Sequence, residues 1–195
     1  MSKELDNKKY VVDSLLKTGR EGMEDLVGYM EEIGFFEAPC SGGNHLACKF
    51  GLVHHTRNVM EAAEKLGVAW LGGEGFNAVK DSVIIAAALH DLGKCGDFGK
   101  PNYIPNKLKS GEISAAKPYV TNSNLLYVDH EIRSIKIATM FIDLTEEEEA
   151  AILYHNGLYG PFAYTIKGKG LETQLYMLIH FSDMWASRVI EGGEE

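Results

Sequence analysis

Apolar residues recur along this chain mostly with the three-to-four spacing of a helix that buries one face. Residues 2–16 carry a loose set (Leu5, Val11, Val12, Leu15, Leu16), and residues 20–33 a strict one (Met23, Leu26, Val27, Met30, Ile33) that Gly34 closes. The same spacing predicts helices over 52–66 (Val59, Ala62, Ala63, Leu66), 78–92, 128–141 and 172–190. A turn is expected at Trp70–Gly75. Thr145 and Glu148 stand three apart before an apolar run, which predicts a capping box opening a helix that ends near Gly157. Two stretches lack any period. In 95–128, Pro101, Pro105 and Pro118 with Gly96, Gly99 and Gly111 break helices, and 117–121 reads as a short hairpin arm. In 158–170, Gly160, Pro161, Gly168 and Gly170 do the same, with a short strand expected at 163–166. The pattern predicts an all-α bundle of about six to eight helices in a single domain. Residues 1–34 form its N-terminal helices and 35–190 its core, with β structure confined to hairpins in the two irregular loops.

One element departs from the amphipathic pattern. Val83 to Leu89 is apolar without interruption, so it predicts a helix buried on all sides, and it runs directly into His90-Asp91-Leu92-Gly93-Lys94. Burying an imidazole and a carboxylate costs several kcal/mol, roughly, unless a partner compensates. A metal ion suits both. Gly93 is expected to end the helix and leave Lys94 room to turn towards the same point.

Charge and cysteine content narrow the partners. A net charge of −9 argues against a protein that tracks long duplex nucleic acid. Residues 94–117 reverse that balance, with Lys94, Lys100, Lys107, Lys109 and Lys117 against Asp97 and Glu112, as in a flap that receives a phosphorylated substrate. The longest apolar run is too short for a membrane span, and the N-terminus has no signal pattern. Three cysteines without pairing pattern point to a reducing, cytoplasmic setting. Cys40, His45 and Cys48 also raise a small zinc knuckle, but no second ligand pair completes four.

His55 precedes the His90-Asp91 pair by one helix; His130, His155 and Asp183 follow it. This order, H…HD…H…H…D, resembles the HD superfamily of metal-dependent phosphohydrolases over about residues 35–190. The resemblance implies that His55, His90, Asp91 and Asp183 hold one divalent ion. His130 and His155 would add a second, with Asp91 bridging the two. A shell of imidazole and carboxylate suits Mn²⁺, Fe²⁺, Co²⁺ or Zn²⁺, and Mg²⁺ less well. The Gly-Lys that follows the pair resembles the phosphodiesterase branches, including 3′-to-5′ exoribonucleases, in which a histidine upstream of Gly-Leu-x-x-His lines the active site. His45 takes that place here. The Gly-Tyr-Pro signature of the cyclic-di-GMP branch is absent, and Tyr154 stands beside His155 where some relatives pair histidines.

The implied activity is hydrolysis of a phosphoester in a nucleotide or short oligonucleotide. Asp91 and Lys94 would be its catalytic side chains, and His45, Lys94, Arg133, Asn156 and Arg188 its substrate contacts. Two alternatives share the ligands: a di-iron oxygenase, and a nucleotide-binding module without catalysis.

Overall fold

A computed structural model describes residues 3–192. Ser2, where the first helix is expected to begin, and residues 193–195 of the glycine-rich tail lie outside them. The protein is mostly helical. In chain order its helices are α1 (Lys3–Lys17), α2 (Met23–Glu32), α3 (Gly51–Leu89), α4 (His130–Ala138), α5 (Glu146–Tyr154), α6 (Ala163–Lys169) and α7 (Gln174–Trp185). A π turn over Ala186–Ile190 continues α7, and 3₁₀ turns occupy Phe35–Glu37, Leu92–Cys95 and Gly157–Tyr159. No helix among the described residues is long and apolar enough to cross a membrane.

Helix α3 is the axis, packed against α1, α5 and α7. The turn expected at Trp70–Gly75 is instead a kink within it. Gly72 leaves helical geometry at φ 69°, ψ 171°, a region open essentially to glycine, and the helix resumes after it. The apolar run beyond the kink is buried as its composition predicts: Val83 and Ile85 to Leu89 are at most 2% exposed.

The loop 95–128 carries two antiparallel hairpins. β1 (Gly96–Asp97) pairs with β2 (Lys100–Pro101), and β3 (Tyr103–Pro105) with β4 (Tyr119–Thr121), which is the arm foreseen at 117–121. The other loop breaks the expectation. Residues 158–170 hold a 3₁₀ turn and α6, not a strand at Ala163–Ile166, because only Ile166 of that segment is buried and an isolated strand has no neighbour to pair with.

Two contacts lock the frame. Thr145 and Glu148 form the capping box, with Glu148 N–H donating to Thr145 Oγ1 (3.2 Å) and Thr145 N–H to Glu148 Oε2 (2.9 Å). Arg20 then donates both guanidinium nitrogens to the buried Glu148 carboxylate (3.0 and 2.8 Å), tying the α1–α2 connection to α5. Gly93 serves packing more than helix termination. A Cβ there would stand 2.2 Å from His130 O and 2.9 Å from Ser134 N, so only glycine lets α4 press onto the end of α3. Ser134 fixes that approach, its hydroxyl donating to His90 O (3.0 Å) and accepting from Gly93 N–H (2.8 Å).

The kink makes a stability prediction. A Cβ at Gly72 meets nothing within 4 Å, yet its backbone conformation excludes other residues. Gly72→Ala should cost about 1–3 kcal/mol in urea unfolding. Gly73→Ala, equally uncrowded but helical, should be neutral or stabilising by up to about 1 kcal/mol. Equal effects would deny the kink.

Candidate metal centre

Four helices deliver the six expected ligands to one point. α3 gives His55 from its first turns and His90 at its C-terminal end, Asp91 follows at once, and α4 opens with His130. His155 closes α5, and Asp183 projects from α7. His55 Nε2 stands 3.3 Å from His90 Nε2, 3.4 Å from Asp91 Oδ2 and 3.1 Å from Asp183 Oδ1. The second oxygen, Asp91 Oδ1, faces a different pair: His130 Nε2 at 3.1 Å and His155 Nε2 at 3.5 Å. Those two nitrogens are themselves 3.4 Å apart. Each set could hold a metal ion.

What each ring does with its other nitrogen decides which atoms are free to bind. His90 Nδ1 donates to Ala87 O (2.9 Å) and His155 Nδ1 to Ile152 O (2.8 Å). His55 Nδ1 meets both Glu191 oxygens (3.0 and 3.1 Å). His130 Nδ1 lies 3.3 Å from Glu131 Oε2, at ion-pair distance but not aligned as a hydrogen bond. Acceptors at Nδ1 hold the proton there and turn a bare Nε2 lone pair inward. Bare nitrogens and carboxylate oxygens so close together repel one another, and Asp91 Oδ1 has no hydrogen-bond partner. A cation between them relieves that repulsion, so the residues fit a metal.

The electrostatics point the same way. Burial alone would raise the Asp91 pKa, but the Lys94 ammonium and the surrounding imidazoles outweigh it and hold the carboxyl well below its usual range. Asp183 is also depressed, burial being outweighed by His55 and then by the other imidazoles. Burial opposes charging His55, yet its proton affinity is raised well above that of free imidazole. Cys40 lies near, but burial pushes its thiol up to about 11, which leaves it neutral near pH 7. The carboxylates of Asp183 and Glu191 therefore favour a positive charge at His55, and Nε2, which faces Asp183, is where a metal cation would take the proton's place. A field that draws a proton onto His55 also draws a metal cation.

Lys94 donates to Asp91 Oδ2 at 2.6 Å, and Asp91 keeps it protonated against the cost of burial. It lines a cleft of about 880 Å³ with His45, Asn156, Asp183, Arg188 and Glu191. His45, Asn156 and Arg188 thus reach the cleft as expected. Asn156 also donates to Glu131 Oε1 (2.8 Å) and sits 3.0 Å from His155 Nε2.

Arg133 does not fit its expected role. Its guanidinium is buried, donating to Leu126 O (3.0 Å) and Asn102 Oδ1 (3.5 Å), so it fastens the hairpin loop to α4 and lines no part of the cleft. The lysine-rich stretch 94–117 lies mostly outside the cleft. Of its five lysines only Lys94 lines the cleft, while Lys100 donates to Asn124 O and Lys117 packs on Gly43. The zinc knuckle is not assembled either. Cys40 and His45 are adjacent (3.4 Å), but their third neighbour is His55, and Cys48 is exposed.

Glu131 and Glu191 escaped the sequence reading. Glu131 directly follows a ligand, a signal available in the residues themselves. Glu191 reads as the start of a polar tail. Two α-helical turns return after about seven residues, and a π turn adds about one, so Glu191 comes back into line with Asp183 eight positions earlier. There it accepts from Asn58 Nδ2 (2.9 Å) and from His55.

No family model, curated protein or solved structure matches this chain.

Chelator-treated protein should gain stability with the logarithm of Zn²⁺ concentration, by about 2.7 kcal/mol at a hundredfold excess over Kd. Glu191→Ala should weaken metal affinity about 10–100-fold in competition with a chromophoric chelator, because His55 loses its orienting acceptor. A thermal midpoint indifferent to every divalent ion would remove the metal assignment.

Proposed function

We propose that this chain is a metal-dependent phosphohydrolase of the HD type, hydrolysing a phosphoester of a nucleotide or short oligonucleotide end. The observation that carries the reading is the division of one buried carboxylate. Asp91 turns Oδ2 towards His55 and His90, the pair that Asp183 Oδ1 also approaches (3.1 and 4.0 Å), and Oδ1 towards His130 and His155. That arrangement suits two divalent ions, with Asp91 between them and Mn²⁺, Fe²⁺, Co²⁺ or Zn²⁺ favoured by the imidazole content. Such ions supply a water of lowered pKa near neutrality and neutralise phosphate oxygens.

The chain's own residues do the rest. Lys94 keeps an ammonium beside Asp91 at the cleft wall, where it stabilises negative charge that grows on a phosphate oxygen in the transition state. Arg188 and His45 offer further donors along the same cleft. The chain needs no serine or cysteine nucleophile for this chemistry. Cys40 and Cys95 are pushed up by burial to about 11 and about 12, and so are poor nucleophiles near pH 7.

The test is a panel of phosphoesters with metal-reconstituted protein: bis-p-nitrophenyl phosphate, mononucleotides, dNTPs, cyclic dinucleotides and short RNA. Asp91→Ala should abolish turnover and bound metal together. Lys94→Ala should lower kcat by roughly two to three powers of ten, as for loss of one preorganised donor, with metal content equal to or above wild type. Normal turnover in Lys94→Ala would leave this lysine as a counter-ion alone. Oxygen consumption by the iron-loaded protein, with no phosphoester cleaved, would replace the hydrolase reading with an oxygenase.

A further inference from the structure

Beside the metal cleft lies a second cavity, of about 610 Å³, walled by α3, α7 and the π turn. Four of its twelve lining residues are aromatic: Trp70 from α3, Phe181 and Trp185 from α7, and Tyr159 from the 3₁₀ turn. Trp70 stands edge-on to Phe181 with centroids 5.7 Å apart. The chain has two tryptophans, and both line this concavity while 53% and 56% exposed. Folding ordinarily hides such surface, so its retention in a hollow marks a binding site.

The two cavities meet at one residue. Along the last helix Asp183, Ser187 and Glu191 face the metal cleft, while Phe181, Met184, Trp185 and Val189 face the aromatic one. Arg188 lines both, its guanidinium 5.3 Å from the centroid of the Tyr159 ring. A ligand with an anionic group in the metal cleft therefore passes Arg188 before its remaining portion reaches the aromatic walls.

We propose that this cavity is the subsite for the planar aromatic portion of the substrate, a nucleobase attached to the phosphoester that the metal cleft takes. The inference rests on the phosphohydrolase reading for the place of the phosphate. The base stacks on exposed indole and phenol faces, which favour any base because every base has a π face. Arg188 holds the junction between sugar-phosphate and base.

Because both tryptophans line the cavity, selectively excited tryptophan emission of the full chain reports on it. Zn²⁺-loaded protein is titrated with the non-hydrolysable phosphonate analogue of AMP and with the same analogue of ribose 5-phosphate, followed by fluorescence and calorimetry. The AMP analogue should change tryptophan emission saturably and bind about tenfold or more tighter than the ribose analogue, which should leave emission unchanged. Trp185→Ala should bring the two affinities within about twofold while the ribose analogue binds as before. Calorimetric binding of the AMP analogue without an emission change, or an undiminished preference in Trp185→Ala, would overturn the subsite. So would a wild-type dimer that Trp185→Ala dissociates with that preference intact, since the cavity would then be a contact between copies. An intact emission response with no phosphoester turned over supports the subsite and defeats only the catalytic reading.

Discussion

A single carboxylate sets the terms for this structure. Asp91 is 1% exposed, and an isolated charge at that depth would cost far more than a domain's whole stability margin. It is tolerable because Lys94 and four imidazoles surround it, Lys94 and His90 from its own stretch of chain and His55, His130 and His155 from three others. Helices α3, α4 and α5 must converge within a few ångströms for that to happen, so assembling the core and assembling the site are one event. Ser134 and Gly93 show how tightly this is drawn: the hydroxyl that holds α4 against α3 also sets His130 opposite Asp91.

The outer layer follows from where each histidine sits on its helix. His90 and His155 stand at helix C-termini, where the last carbonyls lack intrahelical partners, and each donates to the carbonyl three residues back. His55 and His130 stand near helix N-termini, where no carbonyl is spare. A carboxylate serves His55 instead, Glu191 from beyond α7, and the carboxylate of the adjacent Glu131 lies at ion-pair distance from His130. Position on the helix thus decides whether a ligand is oriented by its own backbone or must recruit an acidic side chain. Recruited acids add negative charge, which raises the demand for a cation at the centre.

The last helix divides its labour by register. One stripe carries Asp183 and Glu191 to the metal centre, the next carries aromatic residues to the neighbouring hollow, and Arg188 lies at the border. The π turn permits this, since without its extra residue Glu191 would swing out of line with Asp183. Such turns cost hydrogen-bond geometry, and an enclosed ligand-orienting carboxylate is a physical reason for one to persist here.

Local chemistry by itself determined most of the helices. The periodicity of α2, the all-apolar run leading to His90 and the Thr145–Glu148 capping box depend on neighbours within a turn or two, so the residues announce them directly. The six converging ligands were legible as a set through the resemblance of their order, H…HD…H…H…D, to the HD superfamily. What the tertiary structure decided was direction. Arg133 shares a helix with His130, but a hairpin carbonyl claims its guanidinium. The flap lysines turn outward or bind loop carbonyls, and Ala163–Ile166 becomes helix for want of a strand to pair with. Glu191 enters the site only because a π turn rephases its helix. Each of these outcomes rests on contacts between residues distant in the chain, and no local pattern of apolar and polar positions encodes them.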